Sequence, residues 1–263
     1  MNKGINTHKL FVFSVLLLSM MRVQTVSAAI DSLGVAVDVA GSQRMLSQRI
    51  FKNYCLIILD VKPDKYKQSL KDSSDRFERQ LAELSNFSQT DAQKRRFDEV
   101  STIWEQVNAI TSAPAKRIHV DQVKKATDQL LRASHAAVQS LQTSGSNANL
   151  RFVDISGRQR MLSQRMANRY MMKALGFDDS SYRSDLDTAS REFKVTLDEL
   201  LVTNINTKDI STGLKKVKAQ HSLFVFSLKK GGDDYFPFTI ADASEKILVM
   251  MHKITGQYAD IVK

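Results

Sequence analysis

The chain has 263 residues, a length that fits one large domain or two ordinary domains in tandem. Apolar residues make up 43% of it and charged residues 25%, which is a globular composition with enough of each for a core and a hydrated surface. Only 10 Gly and 3 Pro are present, fewer than the turns of a sheet-rich protein of this size require. The composition therefore argues against a sheet-rich protein and predicts an all-α fold.

The N-terminus has the pattern of a secretory signal. Residues 1–9 carry two lysines and no acid, residues 10–21 are almost wholly apolar, and Val26-Ser27-Ala28 offers the small residues that a signal peptidase reads. This apolar run is too short to cross a bilayer, which takes about 20 residues as a helix. We therefore predict cleavage after Ala28 and an exported mature protein. A retained membrane anchor, favoured by Arg22, is the alternative.

The chain without this segment remains basic. Three cations leave with the signal and no acid does, so the net charge falls from +10 to +7. A positive field of this size favours anionic ligands or surfaces. We expect no nucleic-acid partner, because export removes the protein from the cytoplasm and no aromatic platform is interleaved with the basic residues. The lone Cys55 has no disulfide partner and is interpreted as a small buried hydrophobic residue.

One motif occurs twice, at an offset of 116 residues. Residues 37–49 (VDVAGSQRMLSQR) align with residues 153–165 (VDISGRQRMLSQR), and the last seven positions are identical. The same offset pairs Tyr54 with Tyr170 and Phe77 with Phe193, well beyond the motif. The repeated unit is therefore a whole domain. We predict a signal peptide at 1–28, a first domain at 29–145 and a second at 146–263.

Helical spacing of apolar residues predicts four helices in each domain. In the first domain the predicted helices span 30–61, 66–84, 91–111 and 120–141, with Pro63 ending the first and Pro114 following the third. In the second they span 150–175, 181–202, 207–228 and 238–262, and residues 231–234 form the last loop. Helices of this length with short connections suit an antiparallel up-down arrangement. The predicted architecture is two tandem four-helix bundles.

The motif places a glycine and an arginine on one face of its helix. Residues three and four apart share a face, so Gly41, Arg44 and Gln48 lie together, while Asp38, Met45 and Leu46 are expected to point elsewhere. A glycine inside a helix costs about 0.5–1 kcal/mol relative to alanine, so its presence in both copies suggests the close approach of a helix or ligand. A guanidinium suits flat oxyanions such as carboxylate or nitrate. The predicted ligand-binding residues are Gly41, Arg44, Gln48, Gly157, Arg160 and Gln164.

The same spacing also fits a surface that only packs helices together. In that interpretation Arg44 forms an ion pair with Asp38 or Asp154, of little net value to stability. Spacing alone leaves both interpretations open.

The two copies resemble the signature segment of a known family, the input domains of nitrate sensors and of type IV pilus chemotaxis transducers. The resemblance rests on the 13 residues of each copy, 37–49 and 153–165. It implies a periplasmic four-helix bundle, and in the nitrate sensors two such helices meet across a dimer with nitrate between their arginines. Carried to this chain, it implies nitrate or nitrite between Arg44 and Arg160, beside the backbone of Gly41 and Gly157.

A chain with two copies of the motif could build such a site within itself, as a pseudo-dimer, or across a homodimer. Sensors of this kind also carry membrane-spanning and signalling segments, whereas this chain ends at Lys263 directly after its last predicted helix. We therefore expect a membrane-bound receptor or histidine kinase as a partner, or reuse of the domain as a binding protein.

No pattern in the chain indicates an enzyme, a metal site or a cofactor. The five histidines (8, 119, 135, 221 and 252) lack ligand spacing, and Asp178-Asp179 and Asp233-Asp234 are interpreted as helix caps or solvated loop residues. Nucleophile-elbow, phosphate-loop and paired-cysteine motifs are absent from the sequence. Two functions remain: a small-anion sensing or binding protein, and an interaction module that docks on a membrane receptor or pilus complex without a ligand.

Overall fold

The computed structural model describes residues 30–177, 180–230 and 236–263. Within these ranges the chain forms eight α-helices, one short 3₁₀ turn and no strand, which confirms the all-α prediction. The predicted signal peptide, both acidic pairs at 178–179 and 233–234, and the glycines of the predicted last loop lie outside the described residues. The helices are α1 (Leu33–Ile58), α2 (Pro63–Phe87), α3 (Asp91–Thr111), α4 (Val120–Gln142), α5 (Leu150–Ala174), α6 (Ser180–Val202), α7 (Lys208–Lys230) and α8 (Pro237–Ile261).

The first helix is shorter than the sequence predicted. It begins after Ser32, whose side chain accepts a hydrogen bond from the Val35 amide, and it ends at Ile58 rather than at residue 61. Asp60 and Lys62 then adopt left-handed backbone conformations, with φ of 55° and 43°. Pro63 is the first residue of α2, a position where its fixed φ and missing amide hydrogen are tolerated. The proline therefore starts the second helix, and the left-handed turn before it separates the two.

The two units share one packed interior, because their motif helices lie against each other. The contact between α1 and α5 is the most extensive of any helix pair, ahead of the contacts of α1 with α2 and α4 and of α5 with α8. Residue 44 approaches residue 154 and residue 160 approaches residue 38, so these contacts are reciprocal. Further along both helices, residue 48 approaches residue 168 and residue 52 approaches residue 164. The contacts advance in the same direction along both chains, so α1 and α5 run parallel about a pseudo-twofold axis. The predicted boundary at 145/146 falls in the short connection between α4 and α5.

The outer helices have matched cores in the two units. Phe77 of α2 stacks on Trp104 of α3 with ring centroids 4.4 Å apart, and Phe193 of α6 stacks on His221 of α7 at 4.1 Å. These outer helices each bury one apolar stripe, as predicted for an amphipathic helix. In contrast, α1 and α5 are covered on nearly all sides, so the polar residues of the motif become buried. None of the described helices is long and apolar enough to cross a membrane.

Candidate functional site

The arginines of the two motif copies meet at the interface of α1 and α5. Arg44 is 1% exposed and Arg160 is fully buried. A Cβ atom placed on Gly41 would lie 3.2 Å from Arg44 Nη2 and 3.5 Å from Arg160 Nη2. A Cβ atom placed on Gly157 would lie 3.1 Å from Arg160 Nη2 and 3.6 Å from Arg44 Nη2. Each guanidinium therefore lies beside both glycines, and the missing side chains leave room for two cations close to the axis.

Each arginine faces a carboxylate from the other copy. Arg44 Nη2 lies 2.6 Å from Asp154 Oδ1, and Arg160 Nη2 lies 2.6 Å from Asp38 Oδ1. Both aspartate oxygens lie outside the angular range of a hydrogen bond, so the contacts are ionic and poorly aligned. The expectation that Asp38 points away from the arginine face was wrong. It lies one turn before Gly41, and the close approach of α5 brings its carboxylate against Arg160.

A histidine completes each half of this arrangement. Arg44 Nη1 lies 3.3 Å from His135 Nδ1 on α4, and Arg160 Nη1 lies 3.1 Å from His252 Nδ1 on α8. A guanidinium only donates hydrogen bonds, so each Nδ1 must be an unprotonated acceptor and each ring neutral. Burial and the adjacent arginine charge lower the pKa of both histidines, and burial also lowers the pKa of Arg44 against the opposing charge of Asp154.

The two predicted glutamines lie in a separate polar layer. Gln164 Oε1 accepts a hydrogen bond from Lys52 Nζ at 2.6 Å, and Gln48 Oε1 accepts one from Asn168 Nδ2 at 3.1 Å. These bonds again join α1 to α5, but one turn further along than the arginines. The structure thus brings Gly41, Arg44, Gly157 and Arg160 together and places Gln48 and Gln164 beside Lys52 and Asn168 instead.

Lys52 connects this second layer to α8. It is 0% exposed and donates to Glu245 Oε1 at 2.5 Å and to Ser244 Oγ at 3.3 Å. Arg49 also binds Glu245, through Nε at 3.1 Å and Nη2 at 3.0 Å. Burial lowers the pKa of Lys52 to about 8, partly opposed by the Glu245 charge. Burial would raise the pKa of Glu245, but Lys52 and Arg49 more than offset it and lower that pKa to about 2.

The arginines keep hydrogen-bonding capacity that no protein group uses. Arg44 Nε and Arg160 Nε are buried and have no acceptor among the described residues. A buried donor without an acceptor costs free energy, and side-on binding through Nε and one Nη is how a guanidinium holds a flat oxyanion. The arrangement therefore leaves two buried guanidinium donors that a small species with acceptor oxygens would satisfy. In the described part of the chain, no cluster of three His, Cys, Asp or Glu side chains is placed to hold a metal ion.

The predicted ligand-binding residues did not include Asp38, Asp154, His135 or His252. The packing interpretation had nevertheless offered Asp154 as an ion-pair partner of Arg44, and that ion pair is present. Both aspartates belong to the repeated motif, at the same 116-residue offset as the arginines. The histidines are also repeated, at an offset of 117, but they lie on α4 and α8, far from the motif in sequence. A search for repeated titratable residues across both offsets would have singled them out.

The molecule is a duplicated helical bundle with a polar centre. Its two four-helix units join through α1 and α5, the parallel helices that carry the arginines. The family model for the type IV pili methyl-accepting chemotaxis transducer N-terminal domain (PilJ) matches residues 25–139 and 141–222, one segment for each copy. The chain belongs to this family, as the motif resemblance implied. The match assigns no ligand. No curated protein and no solved structure shows a significant match to the chain.

Proposed function

We propose that this protein is a periplasmic sensing or binding module that holds a small anion, with nitrate or nitrite the leading ligand, between Arg44 and Arg160. The observation that carries the proposal is the meeting of these two buried arginines, one from each copy, beside Gly41 and Gly157. The single chain supplies both halves of the site, so no second copy is needed to complete it. Binding and release, with no catalysis, are the chemistry proposed.

The fold gives such a ligand a way to change the protein. Two arginines near one axis repel each other, and an anion between them favours their close approach. The ligand would therefore bias the packing of α1 against α5, which is the largest helix contact in the molecule. Membership in a transducer family supports a membrane-bound receptor or histidine kinase as the partner that reads this change.

A thermal-shift screen tests the proposal directly. The purified protein is heated with nitrate, nitrite, formate or acetate, and the sodium salts are compared with sodium chloride at equal ionic strength. We expect at least one planar oxyanion to raise the melting temperature, because a ligand that binds only the folded state stabilises it. Arg44→Ala and Arg160→Ala should each abolish this rise. If both variants retain it, the site lies elsewhere.

Arg151→Ala is the matched control for these variants. Arg151 lies near the start of α5, the helix that carries Arg160, but its side chain pairs with Glu199 of α6 and is exposed. Its loss removes the same charge from the same helix without touching either buried guanidinium. The control should keep the ligand-induced rise.

The second candidate function is an interaction module without a ligand. It is favoured by the carboxylates of Asp154 and Asp38, which already compensate Arg44 and Arg160. In this case the buried ion pairs only fix the register of α1 against α5, and the protein acts by docking on a receptor or pilus complex. A flat thermal-shift result across the anion panel, at every pH from 5.5 to 8, would favour docking.

A further inference from the structure

The centre of the proposed site is electrically neutral without a ligand. Two arginines and two aspartates meet there, and their charges cancel when both histidines are neutral. The groups facing Asp154 are Arg44 of α1, His135 of α4 and Arg158 of α5. Those facing Asp38 are Arg160 of α5, His252 of α8 and Arg76 of α2.

Of these outer charges, Arg158 is balanced separately. Its guanidinium pairs with Glu192, so it adds no free charge at the axis. Arg76 lies on α2, and burial together with the charge of Arg160 lowers its pKa. Neither residue forms an ion pair with Asp38 or Asp154 among the described contacts, so the Arg44–Asp154 and Arg160–Asp38 pairs define the charge of the centre.

An entering monoanion disturbs this balance. The oxygens of the anion and the carboxylate of Asp154 or Asp38 would compete for the same Nη2 donors. The side chains of these aspartates are only 12% and 16% exposed, so a displaced carboxylate stays largely out of bulk water. An extra, uncompensated negative charge in such a place is costly, and a proton taken up by the histidine beside the same arginine removes it.

We propose, on the basis of the proposed function, that Asp38 and Asp154 are specificity-determining residues that compete with the ligand for the arginines, so that the site takes up one proton with each monoanion. The proton is held by the histidine that lies beside the same arginine, His135 or His252. Charge is conserved at the centre, because the anion adds one negative charge and the proton one positive charge. The two aspartates thus make anion binding stronger in acid and weaker in alkali.

Isothermal titration with sodium nitrate and sodium nitrite tests this coupling. The measurement is made on the whole protein at several pH values from 5.5 to 8 and in two buffers of different ionisation enthalpy, which reports the protons taken up. For the native protein we expect about one proton per anion and an affinity that rises about tenfold for each pH unit lowered.

Asp154→Asn is the decisive variant. Without the Asp154 carboxylate, the centre has a net charge of +1 before binding and is neutral once the monoanion is bound. Binding then requires no proton uptake. We expect tighter binding than in the native protein at pH 7.5, proton uptake near zero and an affinity nearly independent of pH. Asp198→Asn is the control: it removes the same charge from a partly exposed residue paired with Lys194 and Lys218, and it should behave like the native protein.

The outcomes separate this inference from the proposed function. If the native protein binds an anion without proton uptake, or Asp154→Asn binds no more tightly, the aspartates do not compete and the inference fails while the anion site stands. If only Asp154→Asn binds, the competition is supported and the native chain is not an anion sensor at that pH. If neither protein binds at any pH, both proposals fail. Circular dichroism of each variant verifies that the helices are retained.

Discussion

Replacing Glu245 with glutamine should destabilise the protein far more than replacing its partner Lys52 with methionine. The Glu245 carboxylate accepts hydrogen bonds from Lys52 and twice from Arg49, and Lys52 is 0% exposed. Removing one member of a buried ion pair leaves the other charge uncompensated, which costs about 3–5 kcal/mol. Because the Glu245 side chain keeps 29% exposure, water screens part of this loss. We expect about 3 kcal/mol, at the low end of that range.

Lys52→Met removes the buried charge itself and leaves a side chain of similar shape. Glu245 then keeps both bonds to Arg49, at 3.1 and 3.0 Å. The remaining cost comes from the Gln164 oxygen, which loses its donor, and is about 1 kcal/mol. The double variant should resemble Lys52→Met alone, because without the lysine the carboxylate has less to compensate.

Thermal and urea unfolding measure this difference. For a protein of this size, about 3 kcal/mol corresponds to a melting temperature lower by about 6–12 °C. The pH dependence gives a second test: the pKa of Glu245 is lowered from 4.5 to about 2, so its contribution is present above pH 4.5 and is lost as the pH falls towards 2. Glu245→Gln should lack this loss of stability at low pH. Equal losses for Glu245→Gln and Lys52→Met would refute the reasoning.

Two further predictions concern His221 of α7 and Gly34 of α1. Burial lowers the pKa of His221 from 6.5 to about 4, so stability is full above pH 6.5 and is lost as the pH falls towards 4. His221→Phe should lose less stability between pH 7 and pH 4.5 than the native protein, as measured by urea unfolding. Gly34→Ala should cost about 1–3 kcal/mol, because its Cβ would lie 2.8 Å from Val262 Cγ2 and 2.9 Å from the main-chain oxygen of Ala259. Gly41→Ala is the comparison, since the nearest atom there is the movable end of Arg44, and a thermal melt that found it as costly as Gly34→Ala would contradict this view.

Local sequence determines which segments of this protein are helices. The third helix begins and ends where predicted, because Thr90 and Gln93 form a capping box at its start and its apolar stripe runs to Thr111. The predicted end of α1, at residue 61, was three residues too late, because the helix ends at Ile58. A proline can follow the end of one helix or begin the next, so the sequence alone does not show to which helix Pro63 belongs. The left-handed conformations of Asp60 and Lys62 separate it from α1 and place it at the start of α2.

The repeat also determined that the chain contains two related units and which arginines to examine. Arg44 and Arg160 were identified from the sequence because they share a position in two identical segments. Their charge and their spacing from the glycines are local properties, which a helix preserves. The sequence therefore predicted a site in two halves.

Only the tertiary structure decided how those halves meet. Helical periodicity shows which face of a helix is buried but not which helix covers it, so the parallel contact of α1 with α5 could not be read from either segment alone. The ion pairs of Arg44 with Asp154 and of Arg160 with Asp38 depend on this contact, as does the bond from Lys52 to Glu245. They join residues more than 100 positions apart, at a register set by side-chain packing. The arginines were thus determined by the sequence, and the charges that oppose them by the fold.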